Sequence, residues 1–302
     1  MTTGLREPLT LALVINDRAG GLLAGANGLA GLHARLAAAG CEVRDVPDGA
    51  LPARIRMAAE AAQAVVVAGG DGTIACAAGI LAGTDRALGI LPAGTMNLLA
   101  HDLGLPVGDL PAAAEVLTRG QVRRIDLGQV GDHAFTCACM LGTPARIGHH
   151  RERARRHGAG LGPWLRLARA AWRVLRRDRP RRMVLRVDGR ATAVRTSSLT
   201  ITVGALDDAA GRSFGRTVLD GGRLCAYVLQ QRTAWGLLRL AWRLATGRVR
   251  DPALRRLDGQ EIEVTAAAGA LRVLIDGEEH LMPSPLSFSL RRRALAVIAP
   301  AA

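Results

Sequence analysis

The residues with the greatest chemical potential in this chain are Gly69-Gly70-Asp71-Gly72-Thr73. They follow the apolar run 64–68 and precede the apolar stretch 74–81, so a buried strand is expected to pass through glycines directly into a helix. Glycines lack a Cβ and let backbone N–H groups approach an anion closely, while a helix amino terminus adds the positive end of its dipole. Beside a phosphate a carboxylate is repelled unless it holds a magnesium ion or takes a proton from an acceptor, which predicts a metal or catalytic role for Asp71. The competing interpretation is an ordinary turn in which Asp71 caps the next helix.

The same architecture recurs at 88–100, where a strand ends in Pro92 and Gly94 and offers Thr95 and Asn97 as hydrogen-bonding side chains at a helix start. The first apolar run, 9–15, ends in Asn16-Asp17-Arg18, and Arg18 could supply a positive charge. Three turns at the carboxyl ends of parallel strands would face one crevice, which makes chance resemblance to a phosphate site far less plausible than for one turn alone.

The elements that must position these turns alternate in the first third of the chain. Strands are expected at 9–15, 41–46, 64–68 and 87–91, with helices at 24–39, 55–62 and 74–81, the pattern of a parallel sheet flanked by helices. From about residue 122 the texture becomes that of a mainly antiparallel β domain, with strands at 125–130, 134–140, 183–187, 199–203, 223–229, 261–265 and 271–275. The runs 286–290 and 294–298 either finish that domain or return to the first. The expected division is therefore 1–122 as an α/β domain, 123–285 as a mainly antiparallel β domain, and 286–302 as terminal strands.

Composition bounds the function classes. Of the 302 residues 49% are hydrophobic, enough for buried cores, yet no run approaches the roughly 18 apolar residues of a membrane-spanning helix. The start of the chain reads as a buried strand, with an exported leader the lesser alternative. Cys41, Cys76, Cys137, Cys139 and Cys225 form an odd set without a CxxC pair and read as reduced core residues of a cytoplasmic protein. All 40 basic side chains are arginine, and 13 of them lie in 146–182 against only Glu152 and Asp178. On a helix over 163–178, Arg166, Arg169, Arg173 and Arg176 would share one face, with Trp164, Ala168, Ala171 and Leu175 opposite. Such a helix suits an anionic membrane surface, or else packs on the β domain and exposes solvated arginines. The stretch 235–245, with Trp242, Arg239 and Arg243, is a shorter version. His149, His150 and His157 have no carboxylate or cysteine at ligand spacing and read as solvated. Aromatics make up 3% of the chain and the arginines alternate with an apolar face, so nucleic-acid binding is not expected.

Gly69-Gly70-Asp71-Gly72-Thr73 followed by Leu91-Pro92-Ala93-Gly94-Thr95-Met96-Asn97 resembles the diacylglycerol kinase catalytic-domain family, above all bacterial lipid kinases of the diacylglycerol and sphingosine kinase type. The resemblance extends to Ile125-Asp126 and to Ile275-Asp276-Gly277-Glu278. It implies an N-terminal α/β nucleotide-binding domain and a C-terminal β-sandwich domain with ATP in the cleft between them, in an ATP- and magnesium-dependent kinase acting on a lipid hydroxyl. Together with the Arg-rich helix it makes peripheral membrane association the expectation. By the same resemblance Asn16, Gly69, Gly70, Asp71, Gly72, Thr73, Gly94, Thr95 and Asn97 match nucleotide-contacting positions. Asp276 and Glu278 match the late acidic motif near the acceptor and join Asp71 as candidate catalytic carboxylates, although Asp276-Gly277 alone could be a simple hairpin turn. Asp220, in Leu219-Asp220-Gly221-Gly222, stands for the family's magnesium-binding loop, with one carboxylate where two are common. Asp17 replaces the family's usual Pro, and Leu98 stands where many members carry Asp. The alternatives are a NAD kinase, which shares the glycine turn, and a non-catalytic lipid-binding or regulatory protein of the same fold.

Overall fold

The computed structural model of the chain describes residues 9–16, 28–142, 180–207, 215–230 and 253–301. They divide into two compact units, Met1–Ile125 with Arg292–Ala302, and Asp126–Arg291.

In the first unit the elements run β1 (Thr10–Ile15), α1 (Gly28–Ala38), β2 (Glu42–Asp45), α2 (Leu51–Ala61), β3 (Ala64–Gly69), α3 (Asp71–Leu81), β4 (Ala87–Pro92), α4 (Leu98–Asp102) and α5 (Leu110–Arg119). The strands are parallel in the order β2-β1-β3-β4, and the end of the last strand of the chain adds beside β4 through Ala296 and Val297. Every residue of β3 and β4 is buried, which explains why both read as unbroken apolar runs, as strands covered on both faces do. Leu11, Leu36, Val66, Leu91, Leu117 and Ile298 are part of one core in this unit. Helix α2 starts at Leu51, four residues before the periodic apolar pattern, because Pro52 opens it without needing an N–H partner. The Asp109 side chain caps α5 by accepting from Ala112 N at 3.0 Å.

The strand β5 (Gln121–Val130) leads into the second unit, followed by β6 (His133–Phe135), β7 (Ala138–Gly142), β8 (Arg181–Val187), β9 (Arg190–Thr196), β10 (Ser198–Val203), β11 (Leu224–Leu229), β12 (Leu254–Gly259), β13 (Glu261–Ala266), β14 (Ala270–Ile275), β15 (Glu278–Pro283) and β16 (Leu286–Ala299). One antiparallel sheet has the order β12-β11-β10-β7-β14-β15. The first half of β16 pairs with β13, then β8 and β9, in another antiparallel set. Leu141, Ile201 and Val273 from the former share a core with Leu185, Val264 and Phe288 from the latter, which defines a β-sandwich. Phe135 meets Phe288 edge-on at 6.3 Å in that core.

The strand expected over 134–140 is two strands, broken at Thr136-Cys137, where the backbone N–H groups turn to a carboxylate described below. Strands β9, β12 and β15 have no counterpart in the sequence reading, because arginine or acidic residues interrupt their apolar alternation. None of the five cysteines is in a disulfide, and Cys137, Cys139 and Cys225 are buried. Burial raises the Cys139 thiol far above its usual range and pushes Cys225 up to about 12, so both behave as uncharged core groups. No described helix is long and apolar enough to cross a membrane. Arg18, the stretch 235–245, the three histidines among arginines and the Arg-rich helix 163–178 lie outside the described residues.

Candidate active site

The sheet order of the first unit places a topological switch between β1 and β3, the position at which open α/β sheets bind ligands beyond the strand ends. Asn16, immediately after β1, donates its backbone N–H to Ala68 O at 3.0 Å. Its side-chain Nδ2 donates to Thr73 Oγ1 at 2.7 Å. The amide thus ties the end of β1 to the first turn of α3 across the switch point. Gly70 caps α3 in an extended conformation and, as a glycine, brings no side chain of its own to the amino terminus of the helix.

The second turn lies against the first. Ala93 N donates to Gly69 O at 3.0 Å. A Cβ on Gly94 would stand 2.5 Å from Gly70 Cα and 2.7 Å from Asn97 Oδ1, and one on Gly69 would stand 2.6 Å from Thr73 Cβ. Glycine is required here by backbone packing as well as by anion access. Asn97 is buried with φ +46°, a left-handed conformation that asparagine tolerates. Its Oδ1 accepts from Gly94 N at 2.9 Å and its Nδ2 donates to Gly94 O at 2.8 Å, closing the turn on itself. Thr95 is exposed at the tip.

Asp71 lies in the first turn of α3, and its Oδ1 accepts from Leu98 N at 2.6 Å. The carboxylate therefore caps a helix, but the helix is α4 from the second turn. One side chain joins both glycine turns while placing negative charge at the mouth of the site. Arg54, at the start of α2, donates from Nη1 to Ile15 O at 2.9 Å, and its Nε is buried without a partner. This brings a cation to the carboxyl end of β1, in a residue that sequence reasoning did not single out. Among 40 arginines it carries no distinguishing signal.

The remaining candidates belong to the second unit. Asp276-Gly277 is the two-residue turn of the β14–β15 hairpin, with φ +42° and +94° and Ile275 opposite Glu278. Asp276 is nonetheless more than a turn residue. Its Oδ2 accepts from Thr136 N at 2.6 Å and Thr136 Oγ1 at 2.8 Å, and its Oδ1 accepts from Cys137 N and Ala138 N, each at 2.9 Å. Four donors on a carboxylate that is 5% exposed fill its acceptor positions with hydrogen bonds made within the fold. Glu278, two residues on, is exposed. On the same strand face His280 packs against His133 of β6, the rings tilted by 48° with centroids 4.3 Å apart, and burial together with His133 lowers the His280 imidazole below its ordinary value, while Glu278 opposes the shift.

Asp220 is exposed on the turn that follows Leu219, and that turn is anchored to Asp126. Asp126 N donates to Leu219 O at 2.8 Å, and Asp126 Oδ2 accepts from Gly222 N at 2.7 Å. The buried Asp126 thus acts as the cap of the acidic loop. Among the described residues no three His, Cys, Asp or Glu side chains gather around one point. Magnesium takes one or two protein carboxylates together with substrate phosphates, and Asp220 is a carboxylate of the type it would take.

A parallel α/β unit with two interlocked glycine turns, followed by a β-sandwich with an acidic hairpin, defines a two-unit class of α/β and β-sandwich proteins. Residues 10–130 match the model of the diacylglycerol kinase catalytic domain, and residues 139–299 match that of the YegS C-terminal NAD kinase beta sandwich-like domain. The chain belongs to this family of diacylglycerol kinase and YegS-type proteins. It is 44% identical over 106 residues to a diacylglycerol kinase of Mycobacterium tuberculosis strain H37Rv, a match covering 34% of each chain. It is 42% identical over 73 residues to a diacylglycerol kinase of Bacillus subtilis strain 168, covering 24% of each. These matches span about a third or less of the length of those relatives. A crystal structure of a diacylglycerol kinase from Bacillus anthracis strain Sterne shares the fold over 97% of both chains, with a TM-score of 0.69 and 17% identity.

Proposed function

We propose that this protein is an ATP-dependent lipid kinase that transfers the γ-phosphate to the hydroxyl of a diacylglycerol or sphingoid-type lipid. The observation that carries the reading is the interlocking of Gly69–Thr73 with Gly94–Asn97 through Asp71 and Leu98, at the switch point of a parallel sheet. Backbone N–H groups at the start of α3 bind phosphate oxygens, and Arg54 adds positive charge in a chain without lysine. Asn16 and Thr73 hold the two strand ends at fixed separation.

In the transfer, the lipid oxygen forms a bond to the γ-phosphorus as the bond from that phosphorus to the bridging oxygen of ADP breaks. The hydroxyl proton passes to a carboxylate. Glu278, exposed at the end of the acidic hairpin, is the candidate base, and Asp276 with its four donors is the residue that positions it. Magnesium, for which Asp220 is the candidate ligand, would supply neutralisation of phosphate charge when bound. Gly72, Gly94 and Thr95 complete the nucleotide contacts. The Arg-rich segment 163–178 is the proposed contact with anionic membrane, giving a cytoplasmic protein that associates peripherally with its lipid.

The test is to incubate the purified protein with magnesium and labelled ATP, presenting diacylglycerol, a sphingoid base and NAD in parallel. Label in a lipid alone supports the proposal. Label in NAD alone replaces it with a NAD kinase, a reading prompted by the name of the sandwich-domain model. ATP binding with no transfer to any acceptor points to a regulatory protein of this fold.

A further inference from the structure

Arg216 is the most deeply buried charged side chain among the described residues, 2% exposed, and no step of the proposed reaction uses it directly. Its Nη1 donates to Thr136 O and to Val203 O, each at 2.8 Å, and its Nη2 contacts Cys137 Sγ at 3.2 Å. The carbonyl of Thr136 belongs to the same peptide group as the N–H of Cys137. That N–H donates to Asp276 Oδ1 at 2.9 Å.

One peptide unit therefore lies between a buried guanidinium and a buried carboxylate, its oxygen facing the cation and its hydrogen facing the anion. The dipole is aligned with both charges, so each polarises the group in the direction that strengthens the other bond. An isolated buried charge is strongly disfavoured, and this arrangement compensates two of them without direct contact across the peptide. It also accounts for the break between β6 and β7, since Thr136 and Cys137 must leave the strand pattern for their N–H groups to reach Asp276.

Arg216 further stands four residues before Asp220, on the same stretch of chain as the acidic loop. Its bonds to Thr136 O and Val203 O pin this stretch to the β6–β7 break and to the end of β10. The bonds from Thr136, Cys137 and Ala138 then pin the break to Asp276, and Asp276 sets the left-handed turn that presents Glu278.

We propose that Arg216 is a positioning residue that acts through the Thr136–Cys137 peptide to orient the acidic hairpin, so that its removal impairs transfer to the acceptor while leaving the nucleotide turns intact. The catalytic half of this proposal rests on the lipid-kinase reading of Glu278.

The experiment uses the full chain carrying Arg216→Met or Arg216→Lys, with kcat, the KM for ATP and peptide-level amide hydrogen exchange measured for each. Arg216→Met is expected to lower kcat about 10²-fold, the scale of an ångström-level misplacement, with the KM for ATP unchanged. Exchange should rise about tenfold or more at 136–138 and 276–278 and stay unchanged at 64–81, and Arg216→Lys should recover part of both effects. The double variant Arg216→Met with Asp276→Asn should be no slower than the worse single variant, because both act through one peptide. Unchanged exchange at 276–278 would overturn the proposal, as would additive effects in the double variant or exchange rising equally throughout 126–291. If the unmodified protein transfers phosphate to no lipid, the kinase reading falls, and the exchange measurements alone decide the role of Arg216.

Discussion

The side-chain amide of Asn16 and the hydroxyl of Thr73, 57 residues apart in sequence, meet at 2.7 Å across the switch point of the parallel sheet. Asn16 is the donor, so Thr73 Oγ1 is fixed as the acceptor and the α3 amino terminus is oriented before any nucleotide arrives. Replacing Asn16 by Ala removes this tie from the half-buried end of β1. The expected result is a loss of about 1 kcal/mol of stability and a several-fold rise in the KM for ATP, read by thermal unfolding and initial rates.

Gly94→Ala tests the close approach of the two turns. A methyl group 2.5 Å from Gly70 Cα requires a backbone shift, because the opposing atom is main chain and cannot rotate away. The variant should lose about 1–3 kcal/mol and bind ATP at least tenfold more weakly by titration calorimetry. Normal affinity would show that the turns do not hold the nucleotide.

Asp71→Asn separates capping from charge. Asparagine keeps an oxygen to accept from Leu98 N, so the melting temperature should change little. The negative charge is lost, and kcat should fall by about 10²–10³ with magnesium-ATP.

Asp276 and Glu278 should behave oppositely. Asp276→Ala strands the donors of Thr136, Cys137 and Ala138 and leaves Arg216 without its opposite charge across the peptide, at a cost of about 3–5 kcal/mol of stability. Glu278→Gln, at an exposed position, should leave the melting temperature unchanged and reduce kcat about 10²–10⁴-fold. Chemical denaturation and turnover distinguish the two patterns.

The His133–His280 pair predicts an acid-side loss of stability. The folded His280 is held below its ordinary value of 6.5, first by burial and then by His133. Between the folded and unfolded values the unfolded chain binds more protons, so stability is complete above about pH 6.5 and declines as pH falls below it. The melting temperature of His280→Gln should fall less steeply over that window than that of the unmodified protein.

The two glycine turns of the candidate site were legible in the sequence because their determinants are local. Gly69–Thr73 and Gly94–Asn97 each sit between a buried strand and a helix, and such strands announce themselves as continuous apolar runs. The partner of Asp71 was not legible, since an aspartate at a helix start ordinarily caps its own helix, whereas this one reaches Leu98. The acidic hairpin showed its turn through Asp276-Gly277, yet the four donors come from residues about 140 positions earlier that read as a strand interior. Arg216 and Arg54 were concealed by abundance: composition cannot separate two structural guanidiniums from 38 others. Strand β15, Glu-Glu-His-Leu-Met-Pro, has too polar an alternation to stand out, and only its pairing with β14 defines it.

Strand β16 has a consequence for how the protein is made. Its first residues pair with β13 and its last with β4, a strand formed more than 190 residues earlier. During synthesis the parallel sheet of the first unit must therefore wait for its pairing along β4 until the whole of 126–291 has left the ribosome. Nascent chains halted before residue 292 would expose that flank to chaperones or to each other.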